Sequence, residues 1–209
     1  MKTIDDYRAQ CRILLGDEAG RRYSDAMIDM GFREALGIYG SYLPRIEEVQ
    51  TRISAYENNA AVIPWAFPDP MMVRGMRRNS SKDEMLFSLK TQPGKLYVNF
   101  HEPVRPSVGE QLQIEMSVPH SIKGLDDANR TTVPDPYMTV MCKGAAGYAM
   151  RIRARSVTEV FGKRPEDREA LMIQADDLVI EFLNELKQIS LVESYNKNPW
   201  PVSNLSLSI

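Results

Sequence analysis

The sequence predicts an α+β protein: a discontinuous antiparallel bundle of about four helices, an inserted antiparallel β-sheet or sandwich lobe, and an extended C-terminal arm. Three observations predict it. Apolar residues recur at helical spacing in residues 1–45 and again in 131–190. Between them, in the inserted lobe of 46–130, the period falls to two from Glu47 to Ile122. Val133-Pro134-Asp135-Pro136 then marks the return to helix, with Asp135 as N-cap and Pro136 at the first helical position, where a missing N–H costs nothing. Residues 191–209 fit neither unit and form the arm.

The first helix is expected after Thr3, with Asp5 and Asp6 suiting the positive end of the helix dipole. Ile4, Tyr7, Cys11 and Leu14 make its apolar stripe, which Gly16 to Gly20 interrupts. Ser24 caps a second helix whose buried face is Ile28, Phe32, Ala35, Tyr39 and Tyr42, and Pro44 ends it. Gly31, Gly37 and Gly40 each cost about 1 kcal/mol relative to alanine in a helix interior. Their density implies the close approach of another backbone, either from the same chain or from a neighbouring subunit.

Alternation places strands at Val49–Ala55, Met85–Leu89, Leu96–Phe100 and Leu112–Val118. The prolines of Ile63–Pro70 argue against a central strand there and for an edge strand or an ordered loop carrying Trp65. A third helix, Tyr137 to about Ser156, is apolar nearly all round and must be covered on several sides; Gly144 and Gly147 lie in it. The fourth begins at Pro165 and carries Leu171, Ala175, Leu178, Phe182, Leu186 and Ile189 as one stripe. Strict alternation in Leu205-Ser206-Leu207-Ser208-Ile209 suits a strand that adds to an exposed sheet edge, and Pro199-Trp200-Pro201 favours such a docked arm over the alternative of a frayed terminus.

Composition narrows the function. The chain has 209 residues, 43% hydrophobic and 26% charged, a balance that excludes disorder throughout. A net charge of −2 argues against a dedicated nucleic-acid binder and leaves room for local basic patches. No apolar run reaches the roughly 20 residues that span a bilayer. The first residues show no signal-peptide core, and the two cysteines, Cys11 and Cys142, sit in apolar helical stretches as buried thiols, which fits cytoplasmic synthesis.

Chemistry-bearing patterns are scarce. His101 and His120 lack metal-site spacing, and no phosphate loop, dinucleotide fingerprint or nucleophile elbow occurs. Adjacent acids, Asp126-Asp127 and Asp176-Asp177, point apart and make no site unaided. An enzyme is not expected, nor a cofactor or metal. Arg21 and Arg22, and Arg74, Arg77 and Arg78, are candidates for contacts with phosphate or an acidic surface, against the alternative of plain surface decoration.

Two blocks carry a family resemblance. Leu14-Leu15-Gly16-Asp17, Tyr23-Ser24-Asp25-Ala26-Met27-Ile28 and Ala35-Leu36-Gly37-Ile38-Tyr39 form one. Thr132 to Tyr137, leading into Gly144-Ala145-Ala146-Gly147-Tyr148-Ala149, form the other. Together they resemble the helical frame of head–tail connector (adaptor or neck) proteins of tailed bacteriophages.

The resemblance implies a structural virion protein at the neck, forming a homo-oligomeric ring, usually a dodecamer. That ring would sit beneath the portal protein, extend the channel for passing genomic DNA, and offer a platform to a tail or tail-terminator protein. The ring requires two complementary patches per subunit. Gly31, Gly37, Gly40, Gly144 and Gly147 are the candidates for one, while Trp200, Leu205, Leu207 and Ile209 are candidates for an arm gripping portal or neighbour. Two other readings stand beside it. One is a β-sandwich attachment module of a baseplate or fibre, recognising protein or carbohydrate through Trp65 and Tyr97. The other is an enzyme whose cleft gathers His101 or His120 with carboxylates.

Overall fold

The computed structural model describes residues 2–65, 73–79, 85–92, 94–101, 105–157 and 165–197. The protein is α+β. It divides into two units, Met1–Leu43 with Pro119–Ile209, and Pro44–Val118.

The first unit holds α1 (Ile4–Leu14), α2 (Asp25–Tyr42), α3 (Met138–Val157) and α4 (Pro165–Lys197). Asp6 reaches back to accept the Thr3 backbone N–H at 2.7 Å, and Ser24 Oγ accepts from the Met27 N–H at 3.3 Å, so both expected N-terminal caps form. Helix α3 packs against α1, α2 and α4 in turn, which is why it lacks a polar face. Tyr7, Cys11, Ile28, Phe32, Tyr39, Met141, Ala145, Phe182 and Leu186 are among the side chains of this core.

Three boundaries differ from the sequence expectation. Residues 119–130 belong with the helices: Ile122 and Leu125 are buried in the helical core, and the Ile4 N–H donates to the Lys123 carbonyl at 2.9 Å. A segment that docks through two apolar side chains and backbone bonds carries no period to detect. Asp135 is not an N-cap; it opens a single 3₁₀ turn, Asp135–Tyr137, that leads into α3 with no side-chain cap. The expected start of the arm at Leu191 is also displaced, because α4 continues to Lys197.

The second unit is built of β1 (Arg45–Arg52), β2 (Ala55–Glu57), β3 (Ala60–Pro64), β4 (Val73–Arg78), β5 (Phe87–Gln92), β6 (Lys95–Phe100) and β7 (Gln111–Val118). They form two antiparallel sheets, ordered β1-β7-β4 and β2-β3-β6-β5. One core draws on both: Leu112, Ile114 and Met116 from the first, Ala61, Ile63, Leu96 and Val98 from the second. The lobe is therefore a small sandwich. Strands β1 and β7 pair from Arg45↔Val118 to Arg52↔Gln111, so the chain enters and leaves the lobe at adjacent points.

Ile63 and Pro64 end β3, which lies inside its sheet, contrary to the expectation for Ile63–Pro70; residues 66–70 of that segment lie outside the described residues. Pro64 sits at its final position, where the missing N–H interrupts little, and the Trp65 N–H still bonds the Gly94 carbonyl at 3.1 Å. Asn58 and Asn59, both at positive φ (49° and 67°), make the tight turn from β2 to β3.

Candidate functional site

The first resemblance block folds around one carboxylate. Asp17, in the loop after α1, is buried. Its Oδ1 accepts from the Arg21 N–H at 2.9 Å, and its Oδ2 accepts from the Arg22 and Tyr23 N–H groups at 3.0 and 2.8 Å. Arg12 Nη1 stands 3.6 Å away and also donates to the Tyr23 carbonyl at 2.9 Å, while its Nη2 pairs with Asp25 at 2.5 Å. Burial pushes the Asp17 carboxyl up, but the three backbone donors and the Arg22 charge outweigh it, so its pKa lies below the usual value. This cradle ties the end of α1 and its loop to the start of α2. Leu15, Asp17 and Tyr23 are thus buried in this turn, while Gly16, Ser24 and Asp25 lie exposed around it.

The glycine question resolves position by position. A Cβ on Gly31 would come 2.3 Å from the Ala145 carbonyl oxygen. One on Gly144 would meet the Phe182 ring at 2.9 Å, and one on Gly147 would meet Val179 at 2.7 Å and the Ala175 oxygen at 3.0 Å. These three serve contacts among α2, α3 and α4 of the same chain. Gly40 has ordinary contact with the His120 ring at 3.8 Å, and Gly37 faces open space. Of the five, only Gly37 has no described atom within 4 Å of an added Cβ.

Four of the basic candidates, Arg22, Arg74, Arg77 and Arg78, have side-chain partners within the chain. Arg74, Arg77 and Arg78 lie along β4. Arg77 pairs with Glu115 at 2.5 Å, Arg78 lies 3.7 Å from Glu110, and Arg74 donates to Ser117 Oγ at 2.7 Å. Arg22 donates to the Gly16 carbonyl. The Arg21 side chain is exposed, and its backbone is what serves the Asp17 cradle.

His101 is exposed. His120 Nε2 lies 2.8 Å from the Leu43 carbonyl oxygen and Nδ1 lies 3.2 Å from Thr132 Oγ1, with the ring edge-on to Tyr39. A carbonyl oxygen only accepts, so Nε2 carries the proton in the first contact. His120 therefore clips the end of α2 to the segment by which the chain returns from the lobe. Among the described residues no group of three or more His, Cys, Asp or Glu side chains is set to hold a metal.

Trp65, expected as an exposed recognition aromatic, is buried in the sandwich core because the end of an interior strand carries it there. Tyr97 is half-buried and donates its hydroxyl to Glu57 at 3.1 Å, beside the Lys95–Glu57 pair. Of the acidic pairs, Asp126 is held by Arg33 through a two-pronged contact at 2.6 to 3.0 Å, and Asp176 by Arg151 at 2.8 Å. Cys11 and Cys142 are free and buried, and burial pushes the Cys11 thiol up to about 12. Trp200, Leu205, Leu207 and Ile209 lie outside the described residues.

Two surfaces went unseen in the sequence. A half-open groove of about 270 Å³ between α2 and α3 is lined by Met30, Glu34, Tyr148, Arg151, Ile152 and Arg155. Helix α4 exposes Ile173, Ile180, Leu191 and Val192. No described helix is long and apolar enough to cross a membrane. Comparison of the chain with models of protein families and with curated proteins finds no match to either.

Proposed function

We propose that this protein is a head–tail adaptor of a tailed phage virion, a structural component and not an enzyme. Copies form a ring beneath the portal, extend the DNA channel, and receive the tail or its terminator protein. The observation that carries the reading is a helical body composed of two distant stretches of chain, with the two motif blocks at its structural joints. The Leu-Gly-Asp and Tyr-Ser-Asp residues surround the Asp17 cradle between α1 and α2. The Gly-Ala-Ala-Gly residues lie on α3 where α2 and α4 close upon it. The resemblance thus falls on residues that define a frame, as shared architecture would require.

In this reading the ring interface uses the exposed side of α2 around Gly37 and the lobe's open strand edges, and the residues after Lys197 dock on portal or neighbour. A heterologous contact repeated around a closed rotation then gives many identical arms, whose attachment is strengthened by multiplicity. Native mass measurement and negative-stain imaging of the purified chain, alone and mixed with its portal, test the proposal. A portal-bound ring is expected. A chain that ignores the portal at every concentration would overturn it.

A further inference from the structure

Helix α4 carries a second stripe on the side opposite its core residues. Ile173, Asp177, Ile180, Asn184, Lys187 and Leu191 follow the 4,3,4,3,4 spacing of a heptad seam, and all six are exposed. Ala175, Val179, Phe182 and Leu186 face the other way, into the bundle. Three large aliphatic side chains in a line, more than half exposed (56%, 55% and 71%), are more than scattered surface hydrophobes.

The polar members of the stripe decide what can cover it. In a parallel, in-register pairing, Asp177 would meet Asp177 and Lys187 would meet Lys187. In an antiparallel pairing about a two-fold axis beside Phe182, each position meets the one equally far beyond the axis. Asp177 then faces Lys187, Ile173 faces Leu191, and Ile180 faces Asn184. Both charges are satisfied twice, and the apolar ends cover each other. Polar residues in a seam fix register and orientation in this way. We infer that the exposed face of α4 pairs with the same face of a second copy of this chain, antiparallel, with reciprocal Asp177–Lys187 contacts. An isologous pair of this kind closes on itself and is separate from any ring contact. It requires no portal, so it stands or falls apart from the adaptor reading.

Sedimentation equilibrium of the full chain reads the association. A concentration-dependent monomer–dimer equilibrium is expected. Asp177→Lys sets lysine against lysine at both ends of the seam and weakens the dimer about tenfold, as the loss and reversal of two exposed ion pairs would. Asp177→Lys combined with Lys187→Asp restores it. Both sites are exposed, and circular dichroism verifies that each variant is folded. Orientation has its own readout: a cysteine replacing Ile180 lies about 6 Å along the axis from its mate and one replacing Ile173 about 27 Å, by the helical rise. A short bismaleimide is expected to join the Ile180→Cys chains and not the Ile173→Cys chains. A strict monomer, an assembly indifferent to Asp177 and Lys187, a double variant that fails to recover, or equal cross-linking at both sites would each overturn the inference.

Discussion

The α-carbon of Gly31 lies so close to the Ala145 carbonyl oxygen that a methyl group built on it would stand 2.3 Å from that oxygen. Helices α2 and α3 therefore touch backbone to backbone at this point, and the atom in the way cannot rotate aside. Gly31→Ala is expected to destabilise the protein by about 1–3 kcal/mol despite alanine's better helix propensity. Gly37, six residues along the same helix, has nothing within 4 Å of an added Cβ. Gly37→Ala is expected to stabilise by about 0.5–1 kcal/mol. Denaturant midpoints of the two variants check the opposed signs. If Gly37 meets a neighbour in the ring, the same substitution that raises stability will lower portal-templated assembly.

Asp17 offers a test through pH. Asp17→Ala leaves the Arg21, Arg22 and Tyr23 N–H groups without their acceptor and is expected to cost about 3 kcal/mol. Asp17→Asn keeps an oxygen, loses the charge, and costs less. Because the folded-state pKa lies below the unfolded value of about 3.9, the carboxylate's contribution is fully present above that pH and disappears as pH falls through the folded value. The stability gap between wild type and Asp17→Asn should accordingly be constant from pH 5 to 7 in order of magnitude, about the same at either end, and narrow in acid. Urea unfolding of both proteins across that range measures it. The comparison isolates Asp17, since Asp6 and Asp126, also held below their ordinary values, titrate in both proteins.

Regular burial was what the sequence made legible. Ser24 with Ile28, Phe32, Ala35 and Tyr39 announced α2, and Leu112, Ile114 and Met116 announced β7, because one face of each is buried throughout. Strand β3 was missed since Ala60 to Ile63 are all buried, which erases alternation, and Pro64 argued against an interior position. Strand β4 was missed because its arginines pair with Glu110 and Glu115 of the chain's later part, partners that no local pattern reveals. Of the three glycines of α2 that implied close approach, only Gly31 shows it, against Ala145, a partner brought in by tertiary folding; Gly40 has ordinary contact and Gly37 none within 4 Å. For the candidate site, the motif residues were visible as a set, while the carboxylate cradle joining them depends on backbone donors and has no composition of its own.

The residues after Lys197 carry the next expectation. Helix α4 extends to Lys197, so a stop there removes Asn198–Ile209 without entering the helix. The core positions Phe182 and Leu186 lie well before the cut. The truncated chain is expected to retain its melting temperature and helical content, and to lose portal attachment in co-sedimentation. Attachment at full strength would assign the docking role to α2 and the lobe edges instead, and the alternating Leu205, Leu207 and Ile209 would have no part in it.

Separate cores make the lobe removable. The helical core and the sandwich core share no buried residue, and the lobe's first and last strands are paired at Arg45 and Val118. On the helical side, the His120 contact keeps the Leu43 carbonyl within 2.8 Å of the returning chain, so the gap left by excision is small. A linker of about four residues, which can extend roughly 13 Å, suffices to join Leu43 to Pro119. The shortened protein is expected to melt cooperatively with a helical spectrum, because an insertion at adjacent chain crossings adds little to the host's closure entropy. Adding His120→Ala should cost that variant about 1 kcal/mol, the worth of a typical lost hydrogen bond, and the intact protein a similar amount. Cooperative melting of the lobe-free chain, with portal binding retained, would assign attachment to the helical frame; a non-cooperative melt would instead make the sandwich a folding partner of the helices.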